Sequence, residues 1–102
     1  MRQFDVYPNP SPRSRTRIPL VVVVQSHLLA SHTTLVAPMI PHDDRSAFTE
    51  TSIAARVGAA AYIVLLGELA TVETRQLQRP IGDLRDHEDA IRRALDRLFT
   101  GF

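Results

Sequence analysis

The residues that could do chemistry are four histidines, His27, His32, His42 and His87, and the acidic pair Asp43-Asp44. A neutral imidazole can ligate a metal or move a proton near neutral pH, and adjacent carboxylates can bind a cation. Their spacing argues against both uses. His27 and His32 stand five apart in a stretch that reads as turn and strand, so no helix face brings them together. Asp43-Asp44 follows Pro41 and reads as turn chemistry. The absence of Cys removes thiol nucleophiles, disulfides and thiolate metal sites, and fits a reducing cytoplasm. There is no phosphate-binding glycine loop and no GxSxG elbow. The residues therefore point to a binding protein, not an enzyme, with no catalytic residue, metal, cofactor or small-molecule substrate expected.

The element best placed to present a binding surface is the last one. From Asp83 to Phe102, the apolar residues Leu84, Ile91, Leu95, Leu98 and Phe102 recur at helical spacing, while Asp89, Arg92, Arg93, Asp96 and Arg97 face elsewhere. Asp83 or Asp86 can cap the start, and acids precede bases along the helix dipole. Glu88 to Arg92 and Asp89 to Arg93 are pairs at helical contact spacing. The pattern ends in Phe99-Thr100-Gly101-Phe102, with Gly101 suited to a C-cap. Two readings of that end stay open: Leu98 and Phe102 tuck into the protein's own core, or a rigid helix tip is presented to another protein.

The preceding chain reads as strands. Gln3 to Tyr7 alternates, the period of a half-buried strand, and Pro8 to Arg17, with three prolines, breaks it into an exposed loop. Arg13, Arg15 and Arg17 give that loop a positive edge, either simply solvated or a contact for an acidic partner segment. Leu20 to Val24 is β-branched without alternation and is expected to be the central strand, covered on both faces. Leu28 and Leu29 follow a polar turn; both are core by default, and the second marks an interface if it is exposed. Thr33 to Ala37 resumes as a strand cut off by Pro38 and Pro41. Ile53 to Val57 and Tyr62 to Leu66 form a hairpin turning at Gly58 to Ala60, and Leu69 to Val72 and Arg75 to Leu77 are shorter extended pieces. Strands followed by one C-terminal helix make an α+β fold.

At 102 residues the chain is expected to be one domain, residues 1–102, with a core small enough that self-association would help. All twelve basic residues are Arg, but the net charge of +1 gives no field for general nucleic-acid or membrane binding. The first residues are not a secretory signal, and the most apolar runs, Leu20 to Val24 and Val57 to Leu66, are too short to span a bilayer. A cytoplasmic location without membrane contact is expected.

The framework Gln3-Phe4-Asp5-Val6-Tyr7, Val24-Gln25-Ser26 with Leu28-Leu29, Val36-Ala37-Pro38, Asp83-Leu84, Ile91 with Ala94-Leu95-Asp96, and Phe99 with Gly101-Phe102 resembles the CcdB family of bacterial toxins, from end to end. The resemblance implies a cytoplasmic homodimer with an SH3-like β-barrel of antiparallel strands, a small additional sheet and one C-terminal α-helix. It implies a non-enzymatic poison that binds the A subunit of DNA gyrase and traps the enzyme on cleaved DNA. A CcdA-like antitoxin, acidic and disordered where it binds, would neutralise it, and the pair would bind operator DNA and repress its own operon. The family's gyrase contacts fall on Leu28, Leu29, Asp96, Phe99, Gly101 and Phe102; antitoxin binding is placed on Arg13, Arg15 and Arg17. Asp96 stands where a related sequence carries Asn, and Thr100 stands where poisoning members carry Trp. That departure keeps open a homologue that retains antitoxin binding but no longer poisons, and shared barrel architecture keeps open a MazF-like ribonuclease toxin.

Overall fold

The computed structural model describes residues 1–26, 31–43, 49 and 51–101. Strands β1 (Asp5–Pro8), β2 (Leu20–Val23), β3 (Thr33–Pro41), β4 (Ser52–Val57), β5 (Ala60–Leu65), β6 (Ala70–Glu73) and β7 (Gly82–Asp83) precede a single described α-helix, α1 (Glu88–Thr100). All pairings are antiparallel and belong to one curled sheet of order β4-β5-β3-β2-β1-β7, with β6 also on β3. The α+β class stands.

β3 organises the sheet. It runs through Pro38 to Pro41, so the expected strand end at Pro38 is corrected, and the ladder shows why. Val24 N–H donates to Leu35 O, so Leu35, Ala37 and Met39 turn their backbone groups toward β2 and Pro38 turns its nitrogen to the opposite side. There β6 has ended at the Val36–Ala70 pair and β5 begins at the Met39–Val64 pair. The missing N–H faces a gap in the ladder and leaves no acceptor stranded. The same change of partner corrects the expected small additional sheet: β4, β5 and β6 join the one sheet along the two halves of β3.

β2 is covered on both faces, as its Val run predicts. Val22 and Leu20 join Phe4, Val6, Met39, Val64 and Leu66 beneath Leu84, Ile91 and Ala94, while Val21 and Val23 pack with Tyr7, Val36 and Leu77 on the other side. β2 lies inside the sheet between β1 and β3, though β3, with three partners, is the hub. The predicted hairpin forms between β4 and β5, with Val57 paired to Ala60 and Gly58 at φ 60°. A positive φ at the first of two turn residues is a hairpin-turn geometry that glycine adopts at least cost. Arg75 to Leu77 is not extended: Thr74–Gln76 is a 3-10 turn, entered by Thr74 N–H donating to His32 O.

The helix starts later than its acids predict. Asp83 belongs to β7, and its Oδ1 accepts the Arg85 N–H at 3.0 Å, opening a 3-10 turn over Arg85–His87. α1 begins only at Glu88, with His87 at the N-cap and no side-chain capping bond. Of the two predicted acid–base pairs, Glu88–Arg92 closes, at 3.1 Å. Arg92 also lies 5.9 Å over the ring of Phe4, a buried residue held at φ 72° by backbone bonds to Val23 and Leu84.

Candidate protein-binding site at the helix tip

The inward stripe of α1 is shorter than its sequence pattern. Ile91 and Ala94 are buried and Leu95 is half-buried, but from Asp96 to Gly101 every residue is exposed. Thirteen residues make a helix about 20 Å long, and its last turn reaches past the sheet that covers its first two. Leu98, on the stripe, is 39% exposed, and Phe99 is 71% exposed. The expectation that Leu98 tucks into the core is therefore corrected: the core ends one turn before the apolar pattern does. An exposed Phe on a helix end is costly to hydrate and is the kind of side chain that anchors interfaces.

The turn that carries it is stiff. Gly101 adopts φ 77° and donates its N–H to Arg97 O at 3.0 Å, closing the helix in a left-handed cap. Thr100 Oγ1 donates to Asp96 O, so its hydroxyl is spent on the helix backbone. Leu98 and Phe99 thus project from a fixed frame, with Asp96 and Arg93 exposed on the same two turns. Of the residues singled out from sequence, the structure gathers Asp96, Phe99, Thr100 and Gly101 at this tip; Leu28, Leu29 and Phe102 lie outside the described residues. Leu98 joins them as a surface residue, and the helix pattern alone holds no signal for that, because the stripe continues past the end of the core.

The arginine loop is exposed over most of its length, as expected, but it is internally tied. Asn9, 4% exposed, ties it together: its Nδ2 donates to Ser14 Oγ at 2.9 Å and Ile18 O at 2.8 Å, and its Oδ1 accepts the Ser11 N–H. Arg15 folds back, Nε to Asn9 O at 2.9 Å and Nη2 to Pro10 O at 3.4 Å, and like Arg13 and Arg17 it is exposed. The histidines are partly brought together: His42 and His87 line one cleft with Arg56 and an alanine floor, and His32 lies in another with Glu73 and Arg75. His27 lies outside the described residues. Among the described residues no three metal-ligating side chains converge, and no helix is long and apolar enough to cross a membrane.

A curled antiparallel sheet closed by a C-terminal helix is shared with solved toxins. The chain is similar to the Mycobacterium tuberculosis toxin MazF-mt6, with a TM-score of 0.65 and 19% identity over 78% of this chain and 84% of that one. It is also similar to an endoribonuclease in complex with its cognate antitoxin from mycobacterial species, with a TM-score of 0.71 and 13% identity over 96% of this chain and 93% of that one. At such identities the likeness is one of fold. The sequence itself matches the family model of the CcdB protein over residues 3–101, and the chain belongs to the CcdB family. No curated protein matches it.

Proposed function

We propose that this protein is the toxin of a toxin–antitoxin pair that binds the A subunit of DNA gyrase through the end of α1 and traps the enzyme on cleaved DNA. The observation that carries this reading is Phe99, 71% exposed on a capped helix end beyond the core. Membership of the CcdB family supports it. A protein that works by wedging needs a rigid apolar anchor and no catalytic group, so we read the chain as a non-enzyme. Leu28, Leu29, Asp96, Thr100, Gly101 and Phe102 complete the proposed gyrase surface. We further read the curled sheet as an SH3-like barrel and the functional form as a cytoplasmic homodimer. A CcdA-like antitoxin binds at Arg13, Arg15 and Arg17, and operator DNA is bound only by the pair. The structural neighbour in complex with its cognate antitoxin fits such a partner.

Incubation of the protein with DNA and gyrase from its own source, followed by detergent, tests the poison reading. Linear, protein-linked DNA is expected, and it should vanish when Thr100 to Phe102 are removed from a chain that still folds. The fold shared with an endoribonuclease favours a second reading, RNA cleavage; cleavage of RNA by the purified protein, with no trapped gyrase, would replace the first reading with it. Thr100, its hydroxyl bonded to Asp96 O, gives the tip less apolar area than Trp would. Antitoxin binding without trapping or growth arrest would mark a homologue that no longer poisons.

A further inference from the structure

One cleft shares Arg15 with the antitoxin-binding loop and otherwise falls outside the protein-binding reading. It has a volume of about 270 Å³ and lies where the end of β1 and its loop meet Arg15, Gln76, Gln78 and Arg79. Among the described residues no carboxylate lines it. Its charged groups are the Arg15 and Arg79 guanidiniums, and Gln76 and Gln78 add carboxamides that can donate. Arg15 is pre-oriented, because two of its N–H groups are fixed on Asn9 O and Pro10 O and the rest stay available. Arg79 is exposed and has no ion pair or hydrogen bond among the described residues.

A second observation points into the same cleft. Tyr7, which lines it, is only 2% exposed, yet its hydroxyl has no hydrogen-bond partner among the described residues. It is not a sealed, unsatisfied atom either, since no buried side-chain polar atom among the described residues lacks a partner. The hydroxyl therefore keeps some of the residue's small exposure, on a side chain whose residue lines this cleft. Burial and the nearby Asp5 carboxylate push its pKa up, so it stays protonated and is ready to donate outward.

We propose that this cleft is an oxyanion site for a phosphate monoester, such as the 5′-phosphate of a nucleotide or sugar, with Arg15 and Arg79 neutralising the charge and Tyr7 donating to a terminal oxygen. The donors outnumber what a carboxylate's two oxygens need and suit the three terminal oxygens and near-double charge of a phosphate monoester. The remaining volume admits the sugar. The site is independent of the gyrase reading and does not fall with it.

Calorimetric titration of the whole protein with ribose 5-phosphate, inorganic phosphate and glutamate, together with arginine Nε–H NMR, tests it. Ribose 5-phosphate is expected to bind, to shift the Arg15 and Arg79 resonances, and to bind about tenfold more weakly to Arg79→Ala and to Tyr7→Phe, the loss of one charge-assisted hydrogen bond. Arg56→Ala, exposed on β4 and outside the cleft, should bind as the parent does. Arg79 is exposed, so its variant reports on binding even if Tyr7→Phe disturbs folding. An equal loss in Arg56→Ala would reduce the site to diffuse positive charge, and tighter binding of glutamate would make it a carboxylate dock. Either result, or no resonance shift with any phosphate, overturns the proposal.

Discussion

A Cβ added to Gly82 would stand 3.2 Å from Val57 Cγ1. β4 and β7, which carry these residues, are the first and last strands of the sheet and are not paired with each other. They meet where a valine methyl packs against a bare Cα, so the curl of the sheet closes here by packing where no ladder closes it. The position needs a small residue for space, not for a left-handed backbone. Gly82→Ala should be close to neutral, because a shift of a few tenths of an ångström is offset by the lower entropy of the unfolded chain. Gly82→Val should cost about 1–3 kcal/mol as an overpacked site, read as a fall in melting temperature of about 4–8 °C per kcal/mol. Val57→Ala in the same chain should recover part of it; additive losses in that double mutant would show that the two residues do not couple.

Arg85 bridges Asp5 and Asp83, 2.9 Å to each, and joins the N-terminal strand to the approach of α1. The Asp5 side chain is only 10% exposed, and besides Arg85 it accepts the Arg2 N–H at 3.0 Å. Arg85→Ala leaves that carboxylate without a cation and should cost about 1–3 kcal/mol. Asp83→Asn keeps the turn acceptor and breaks only a half-exposed pair, for about 0–1 kcal/mol. Urea midpoints of the two variants in one buffer check the order, and equal losses would count against Asp5 as the partner that matters.

These relationships mark where sequence reading stops. The period of the final helix, the β2 valines covered on both faces, the turn at Gly58 and the cap at Gly101 were all legible, because each is fixed by residues within a few positions of one another. Pro38 misleads because a proline's cost depends on which neighbours lie beside it, and the gap between β5 and β6 is set by strands more than twenty residues away. The Pro8 to Arg17 loop has the composition of a solvated segment and is largely exposed, but composition did not show that one buried Asn9 ties it together. Leu98 repeats the helix pattern correctly but sits where the core has ended. The candidate tip was thus readable as a pattern; whether its apolar residues faced in or out required the length of the sheet beneath.

Tyr7 gives a pH dependence whose sign follows from its surroundings. Burial first, and the Asp5 carboxylate second, raise its pKa above the ordinary value of 10.0. The folded state therefore holds the phenolic proton more tightly than the unfolded chain does. Its contribution is fully present below pH 10 and is lost as pH rises through the folded pKa. Unfolding free energy from urea melts should fall between neutral pH and alkaline pH in the parent and fall less in Tyr7→Phe. Identical slopes in the two proteins would mean that the phenol does not titrate on unfolding.

The proposed binding tip can be tested apart from folding. Ile91 is fully buried and Phe99 is 71% exposed, although both belong to one helix eight residues apart. Ile91→Ala empties a core position and should cost about 2–5 kcal/mol of stability. Phe99→Ala removes no internal contact of that kind and should leave the melting free energy within about 0.5 kcal/mol. If Phe99 anchors a partner, its loss should weaken binding to gyrase by about 2 kcal/mol or more, roughly thirtyfold in dissociation constant. Measured side by side, a stable Phe99→Ala protein that no longer binds assigns the aromatic to the interface. A destabilised one would return it to the core, and undiminished binding would move the proposed gyrase surface away from the end of α1.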